Sequence, residues 1–137
     1  MLKFITLIFT LFLTACVNLP RVVQLPEQAQ SVRVFKVENG GQRSLLTVQF
    51  TPNQWRWVQS DPLGAPIARV ILTQQGWEND GFVMPNRQAR LLFSALAVAL
   101  NSEMPPFELN GDWKIRQNAP HFEIALPDNS VWFVEEL

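Results

Sequence analysis

One cysteine is the residue best placed for covalent chemistry in this chain. Cys16 is the only cysteine among 137 residues, so it cannot form an intramolecular disulfide. A basic start at Lys3, an apolar run over residues 4–12 and the small residue Ala15 precede it, which is typical of a cleaved secretory signal. The apolar run is too short to span a membrane. The thiol directly after such a cleavage point can carry a diacylglycerol.

Residues 13–16, Leu-Thr-Ala-Cys, resemble the lipobox of bacterial lipoproteins. The resemblance implies cleavage after residue 15 and a covalent diacylglycerol and acyl chain on Cys16, with no other cofactor. Several acyl chains anchor a protein stably without spanning the bilayer. An aspartate after the lipidated cysteine retains enterobacterial-type lipoproteins in the inner membrane, so Val17 implies anchoring at the periplasmic face of the outer membrane. The alternative is an ordinary secretory signal in which Cys16 is incidental.

Length and composition predict one compact domain behind this signal. We expect a signal peptide over residues 1–15, a lipidated and extended tether over residues 16–30, which contains two prolines, and a single domain over residues 31–137. The net charge is −1 and the charged residues are interspersed. Because a phosphate-binding surface needs clustered lysine and arginine, this distribution argues against nucleic acid as a partner.

The mature chain alternates between β-rich runs and turn clusters, with one helical segment. Strands are predicted over residues 31–38, 44–51, 54–60 and 66–73, around Trp77, and over residues 111–117, 121–126 and 130–135. Between them Asn86 can cap a Leu- and Ala-rich helix that extends to about residue 101. The fold class is therefore α+β: a curved antiparallel sheet of seven to nine strands, with one main helix covering its concave face.

Two local patterns place side chains on faces. Asp61-Pro62-Leu63-Gly64 is typical of a tight turn and predicts a hairpin, on whose first strand Trp55 and Trp57 share a face. On the helix, one polar stripe is expected to hold Arg87, Arg90, Ser94 and Asn101, and the opposite side Leu92, Ala95, Leu96 and Ala99.

The turn at residues 61–64, Pro66 and the aliphatic strand after it, the strand with Trp77 and the helix over residues 90–100 resemble an uncharacterised family of bacterial lipoproteins. That family is distantly similar to LolB, the outer-membrane receptor for lipoproteins, and its genes often lie beside aryl-polyene biosynthesis genes. The resemblance implies an open half-barrel of the LolA/LolB type, whose hydrophobic cavity is lidded by helices and holds acyl chains. This chain is shorter than LolB and predicts one clear lid helix where LolB has more.

The sequence contains no pattern that favours catalysis. The single histidine, His121, has no serine elbow or second cysteine for a triad, and a structural or surface role is expected. Metal-ligand spacing is absent, and Gly40-Gly41 lacks the lysine and helix of a phosphate loop. Glu135 and Glu136 are expected either to lie on a solvated rim or to pair with arginines such as Arg87 and Arg90. We therefore expect a protein that is not an enzyme.

Large apolar side chains are the remaining candidates for a functional site. The predicted cavity is lined by Trp55, Trp57, Trp77 and Trp113 from the sheet and by Leu92, Leu96 and Leu100 from the helix. Each CH₂ buried in such a cavity contributes roughly 0.8 kcal/mol, so an acyl chain could bind there without a charged contact. The alternative is that the same side chains fill an ordinary core.

Two classes of function follow. In the first, the protein is an outer-membrane-anchored lipoprotein that binds or transfers a hydrophobic ligand in the periplasm, a polyene-lipid or lipoprotein acyl chain, with the helix as a movable lid. In the second, it is a non-enzymatic interaction lipoprotein that scaffolds envelope assembly with a protein partner. A lined pocket under the helix favours the first class, whereas a filled core with an exposed apolar patch favours the second.

Overall fold

The computed structural model describes residues 19–137. The predicted signal peptide, Cys16 and the first residues of the predicted tether lie outside this range. Within it, the single α-helix is too short to cross a bilayer.

Eight strands form one antiparallel sheet. They are β1 (Val32–Asn39), β2 (Gln42–Phe50), β3 (Trp55–Ser60), β4 (Pro66–Thr73), β5 (Gly76–Asn79), β6 (Lys114–Asn118), β7 (His121–Ala125) and β8 (Val131–Glu136). Their order across the sheet is β5-β4-β3-β2-β1-β8-β7-β6, so the last strand pairs with the first, and β5 and β6 are the two edges. The predicted antiparallel sheet of seven to nine strands is confirmed.

The alternation of side chains along each strand decides which face is buried. Trp55 and Trp57 are at most 1% exposed, and the outward Arg56 between them is only partly buried. The same two-residue period buries one face of the neighbouring strands. The inward side chains include Phe35 and Val37, Leu46 and Val48, Ala68, Val70 and Leu72, and Phe122 and Ile124. The sheet therefore has one apolar face and one face of mixed charge.

The β3–β4 turn takes the predicted form. The Asp61 carboxylate accepts hydrogen bonds from the backbone N–H groups of Leu63 and Ala65, each at 2.9 Å. Gly64 has a φ of 87°, a left-handed conformation that glycine adopts without a steric penalty. The leucine of this turn points into solvent and is 95% exposed.

The helix α1 (Arg87–Leu100) begins at the predicted cap. The Asn86 side chain accepts a hydrogen bond from the Ala89 N–H at 3.0 Å, and the helix ends where Asn101 donates to the Val98 carbonyl. All residues from 91 to 97 are buried. These residues cover almost two turns, so α1 is enclosed on every side.

The predicted polar stripe of α1 is wrong at Ser94. This residue is 0% exposed, and its hydroxyl donates to the Arg90 carbonyl at 2.7 Å. The sequence pattern missed this because a serine that satisfies its hydroxyl on the preceding turn can be buried like an apolar residue.

The sheet must curve around the helix to enclose it. The edge strand β5 reaches α1 through Trp77, whose indole N–H donates to the Ser94 hydroxyl at 2.9 Å. The opposite edge, β6, also contacts α1, as does β7. A helix is only about 10 Å in diameter, so the two edges of an eight-stranded sheet cannot both touch it unless the sheet bends. The structure is an open antiparallel sheet with one helix in its concave side.

Two irregular segments cover the side of α1 that the sheet leaves open: residues 19–30, and the segment after α1 that contains Phe107. Residues 19–30 are extended, as expected for a tether, but they lie against the domain rather than apart from it. Val22 forms a β-bridge with Phe107, and the Val23 N–H donates to the Pro106 carbonyl at 2.7 Å. Leu19, Val22 and Leu25 pack against the core. Because these apolar side chains recur along the segment, burying them favours docking over a free tether.

Replacing Asp61 with alanine is expected to weaken the β3–β4 turn. The substitution removes the acceptor for two backbone N–H groups, and we expect the free energy of unfolding to fall by about 1–2 kcal/mol. Urea denaturation followed by tryptophan fluorescence measures the change. Asp112→Ala is the matched control, because the Asp112 carboxylate accepts no hydrogen bond from residues 19–137. Equal stability of the two variants would contradict the role assigned to Asp61.

Candidate functional site

Four aromatic rings form the centre of the concave side. Trp57 stacks on Phe93 of α1, with ring centroids 5.2 Å apart and an interplanar angle of 20°. Trp77 meets Trp57 edge-on at 5.6 Å and stacks on Phe107 at 6.1 Å. We call these four residues the aromatic core. Contacts of this kind join the sheet, the helix and the segment that follows the helix into one apolar unit.

The structure brings the predicted cavity residues together. Trp55, Trp57, Leu92 and Leu96 are at most 1% exposed, and Trp77, Leu100 and Trp113 are partly buried against the same core. Their side chains pack on one another and on the aromatic core. The space directly beneath α1 is therefore filled in this conformation.

Sequence reasoning missed two members of the aromatic core. Phe93 is adjacent to Leu92 in sequence but lies outside the predicted apolar side of the helix, because an amphipathic pattern predicts only one buried side. Phe107 follows Pro105-Pro106 in an irregular segment, where no periodicity indicates burial. Only the complete enclosure of α1 brings both rings into the core.

Two indole N–H groups of the core have no acceptor. Trp57 Nε1 and Trp113 Nε1 are buried without a hydrogen-bond partner among residues 19–137. Trp77 Nε1, by contrast, has Ser94 as its acceptor. An unpaired buried donor costs roughly 1–3 kcal/mol, so a ligand that brings a carbonyl oxygen to Trp57 would recover that free energy.

A surface cleft lies beside Trp55. It has a volume of about 510 Å³ and lies between two backbone segments, residues 25–31 and residues 50–55. We call it the Trp55 cleft, and we call residues 25–31 the strap. Phe50 and Trp55 are among the residues that line it, with their ring centroids 4.9 Å apart in an edge-on contact. The cleft thus places the buried face of Trp55 behind a covering segment of the chain.

Few polar contacts hold the strap in place. Gln28 donates to the Asn101 side chain at 2.7 Å, and the Ser31 carbonyl accepts from the Phe50 N–H at 2.8 Å. Glu27 and Gln30 are exposed, and so is Ala29. Leu25 is the one strap residue that packs against the core, so the rest of the strap is the part of this site that can open at the lowest free-energy cost.

Charged groups lie away from the core. Glu136 forms an ion pair with Arg33 at 2.6 Å, and Glu135 lies 4.0 Å from Lys36. These glutamates therefore pair with arginine and lysine of β1 rather than with Arg87 or Arg90, because β8 lies beside β1 in the sheet. His121 is exposed, as expected of a surface histidine.

One carboxylate has a perturbed pKa. Partial burial raises the pKa of Asp128, but hydrogen bonds from Ser130 and Gln88 outweigh this effect, so the pKa lies below its ordinary value. Asp128 is in the β7–β8 turn, where it orders the backbone and holds the first turn of α1. It does not face the aromatic core.

The arrangement can bind an apolar molecule by partition. The part of the chain from residue 19 onward has no cluster of three or more histidine, cysteine, aspartate or glutamate residues that could hold a metal ion. What it offers is an aromatic interior, a surface cleft lined by Phe50 and Trp55 at the edge of that interior, and a buried hydrogen-bond donor. These features suit a long apolar chain with one polar acceptor.

The chain matches no protein-family model, no curated protein and no solved structure. The proposed function therefore depends on the geometry of the described residues and on the sequence pattern around Cys16.

Replacing Ser94 with alanine is expected to destabilise the core. The hydroxyl is the acceptor for Trp77 Nε1, and without it a third indole N–H would be buried and unpaired. We expect the free energy of unfolding to fall by roughly 1–3 kcal/mol, measured by urea denaturation. Ser102→Ala is the control, because Ser102 is exposed just beyond the helix. Equal stability of the two variants would show that the Trp77–Ser94 hydrogen bond contributes nothing.

Proposed function

We propose that the protein is an outer-membrane lipoprotein, anchored through Cys16 on the periplasmic face, that binds a hydrophobic acyl or polyene-lipid chain in its core. The chain enters through the Trp55 cleft and partitions into the apolar space between the sheet and α1. Binding requires no charged contact and no chemical step by the protein.

The Trp55 cleft is the observation that carries this proposal. It has a volume of about 510 Å³, and its lining includes Phe50 and Trp55, whose rings belong to the same buried face as Trp57. Each methylene transferred from water into such surroundings contributes roughly 0.8 kcal/mol, so a chain of moderate length can offset the cost of moving the strap.

Because the space under α1 is filled, a covering element must move before an acyl chain can enter. The sequence suggested that the helix is a lid, but α1 is buried on every side and its displacement would expose the aromatic core. The strap is the more accessible cover, because its residues Glu27, Ala29 and Gln30 are exposed. In the proposal the strap opens first, and the rings of the core then adjust around the chain.

The same filled core supports a second candidate, a non-enzymatic interaction lipoprotein that scaffolds envelope assembly. Trp57 and Phe93 stack at 5.2 Å, so the closed conformation leaves no room for a ligand between them. Exposed apolar side chains elsewhere on the surface, such as Phe82 and Met84, would then contact a protein partner. The two candidates differ in whether the folded domain binds a free acyl chain.

Two features of the domain suit the resemblance to LolB. An open antiparallel sheet that curves around a helix suits a half-barrel of the LolA/LolB type, and a covered apolar interior suits an acyl-chain site. This chain has one helix among residues 19–137, so the strap and the segment after α1 take the covering role that further helices have in LolB.

Titration with a fluorescent fatty acid tests acyl-chain binding. The domain from residue 18 onward, without lipid, is expected to bind the probe saturably in the micromolar range, with a change in tryptophan emission. Ala29→Trp places a large side chain in the Trp55 cleft and is expected to weaken binding about tenfold, which corresponds to about 1.4 kcal/mol. Ala65→Trp is the matched control, because Ala65 is exposed in the β3–β4 turn at the other end of the sheet.

Two outcomes would contradict the acyl-chain proposal. If the folded domain does not bind the probe, the interaction lipoprotein is the better description, and pull-downs for an envelope protein partner follow. If Ala29→Trp binds as tightly as Ala65→Trp, the Trp55 cleft is not the route to the core. Circular dichroism of each variant establishes that it is folded.

Lipidation of Cys16 is tested separately. Mass spectrometry of the protein extracted from bacterial membranes is expected to show loss of residues 1–15 and addition of a diacylglycerol and an acyl chain. Cys16→Ser should abolish the modification and release the protein from the outer-membrane fraction, while Ser102→Ala should change neither. An unmodified Cys16 thiol in the mature protein would support an ordinary secretory signal.

A further inference from the structure

The loop between β5 and α1 exposes two large apolar side chains. Phe82 is fully exposed and Met84 is 81% exposed. We call these two residues the apolar tip. Gly81, with a φ of 85°, turns the chain outward just before them, and Asn86 caps the helix just after them. Leaving both side chains in water is unfavourable, so a contact that covers them would be favoured.

The loop leaves the sheet at the end where α1 begins. Gln88, in the first turn of α1, donates to Asp128 of the β7–β8 turn at 3.0 Å. β6 also begins at this end, because Lys114 pairs with Ala125 just before that turn. We call it the anchor end of the molecule. Met84 and Phe82 lie three and five residues before Arg87, the first residue of α1, so the apolar tip belongs to the anchor end.

The chain that leads back to Cys16 runs toward the same end. Gln28 lies beside Asn101, at the far end of α1. From there the strand-like segment runs antiparallel to residues 106–107, with Val22 opposite Phe107. Because the chain after Phe107 continues to the start of β6 at the anchor end, the direction from Gln28 to Leu19 also points there.

The same segment lies beside the edge strand that carries the loop. Trp77 of β5 stacks on Phe107, with centroids 6.1 Å apart, and Phe107 bridges Val22. β5 and the N-terminal segment therefore approach the anchor end next to each other. Only two residues, Val17 and Asn18, lie between Cys16 and Leu19, and a stretch of this length spans at most about 11 Å. The N-terminal segment therefore leads back to Cys16 from the same end of the molecule as the apolar tip.

We propose that Phe82 and Met84 insert into the surface of the bilayer that holds the lipid anchor. This inference rests on the lipidation of Cys16 in the proposed function and adds a second, non-covalent membrane contact. Two contacts would fix the orientation of the domain, with the anchor end on the bilayer. The Trp55 cleft, which lies at the far end of α1 beside the strap, would then face the periplasm.

The charges around the apolar tip suit a phospholipid surface. Asp80 lies 3.1 Å from an Arg56 nitrogen and 3.3 Å from an Arg69 nitrogen, so its negative charge is compensated. Arg87 is exposed and forms no ion pair with residues 19–137, which leaves its guanidinium available for a lipid phosphate. Apolar side chains flanked by a cation are the combination that binds membrane interfaces.

A site-specific fluorophore tests the contact in the lipidated, full-length protein. Lipidation blocks the only native thiol, so Phe82→Cys supplies a single site for an environment-sensitive nitrobenzoxadiazole label. The protein is reconstituted into phosphatidylethanolamine–phosphatidylglycerol vesicles that contain lipids with a nitroxide quencher. Met104→Cys is the matched control, because Met104 is half-exposed and lies at the opposite end of the molecule. Met84→Cys provides a second position in the apolar tip.

We expect the labels at 82 and 84 to shift to shorter emission wavelengths and to be quenched several-fold more than the label at 104. Equal quenching at the three positions, in protein that stays with the vesicles, would leave the anchor intact and overturn the membrane contact. Protein that does not stay with the vesicles would overturn both the anchor and the contact. Neither outcome bears on fatty-acid binding by the soluble domain, which is measured separately.

Discussion

Enclosure of α1 is the constraint on which the rest of the structure depends. Residues 91–97 of α1 are buried around the whole circumference of the helix, and such a segment cannot rest on one flat surface because some of its apolar side chains would remain in water. The sheet therefore bends until both edges touch the helix, and two irregular segments cover the remaining side. Trp57 of β3 stacks on Phe93 of α1 and joins the centre of the sheet to the helix.

This constraint separates two roles that the sequence had assigned to one element. An enclosed helix gives stability, whereas a lid must open at low cost. The strap, held by a few hydrogen bonds such as Gln28 to Asn101, is better suited to opening. The Trp55 cleft lies under the strap, and the apolar tip lies at the opposite end of α1. Binding and membrane contact would thus occupy different ends of one small domain.

Local patterns predicted most of the elements correctly because each depends on neighbouring residues. Asp61 and Gly64 specify a turn by a side-chain acceptor and a positive φ, and Asn86 specifies a helix start in the same way. The residues predicted to line a cavity lie in or against one core, where they pack on one another. The errors occur where burial depends on distant segments: Ser94 was placed on a polar stripe, and Phe107 was not selected at all.

The sequence by itself determined the turns, the helix cap and the period of each strand, because these features need only residues adjacent in the chain, whereas the lipid site at Cys16 stays a prediction. Only the tertiary structure decided that Ser94 accepts a hydrogen bond from Trp77, that residues 19–30 dock on the domain, and that the space under α1 is filled. The physical reason is that these outcomes depend on packing between segments far apart in the chain, which no local periodicity encodes.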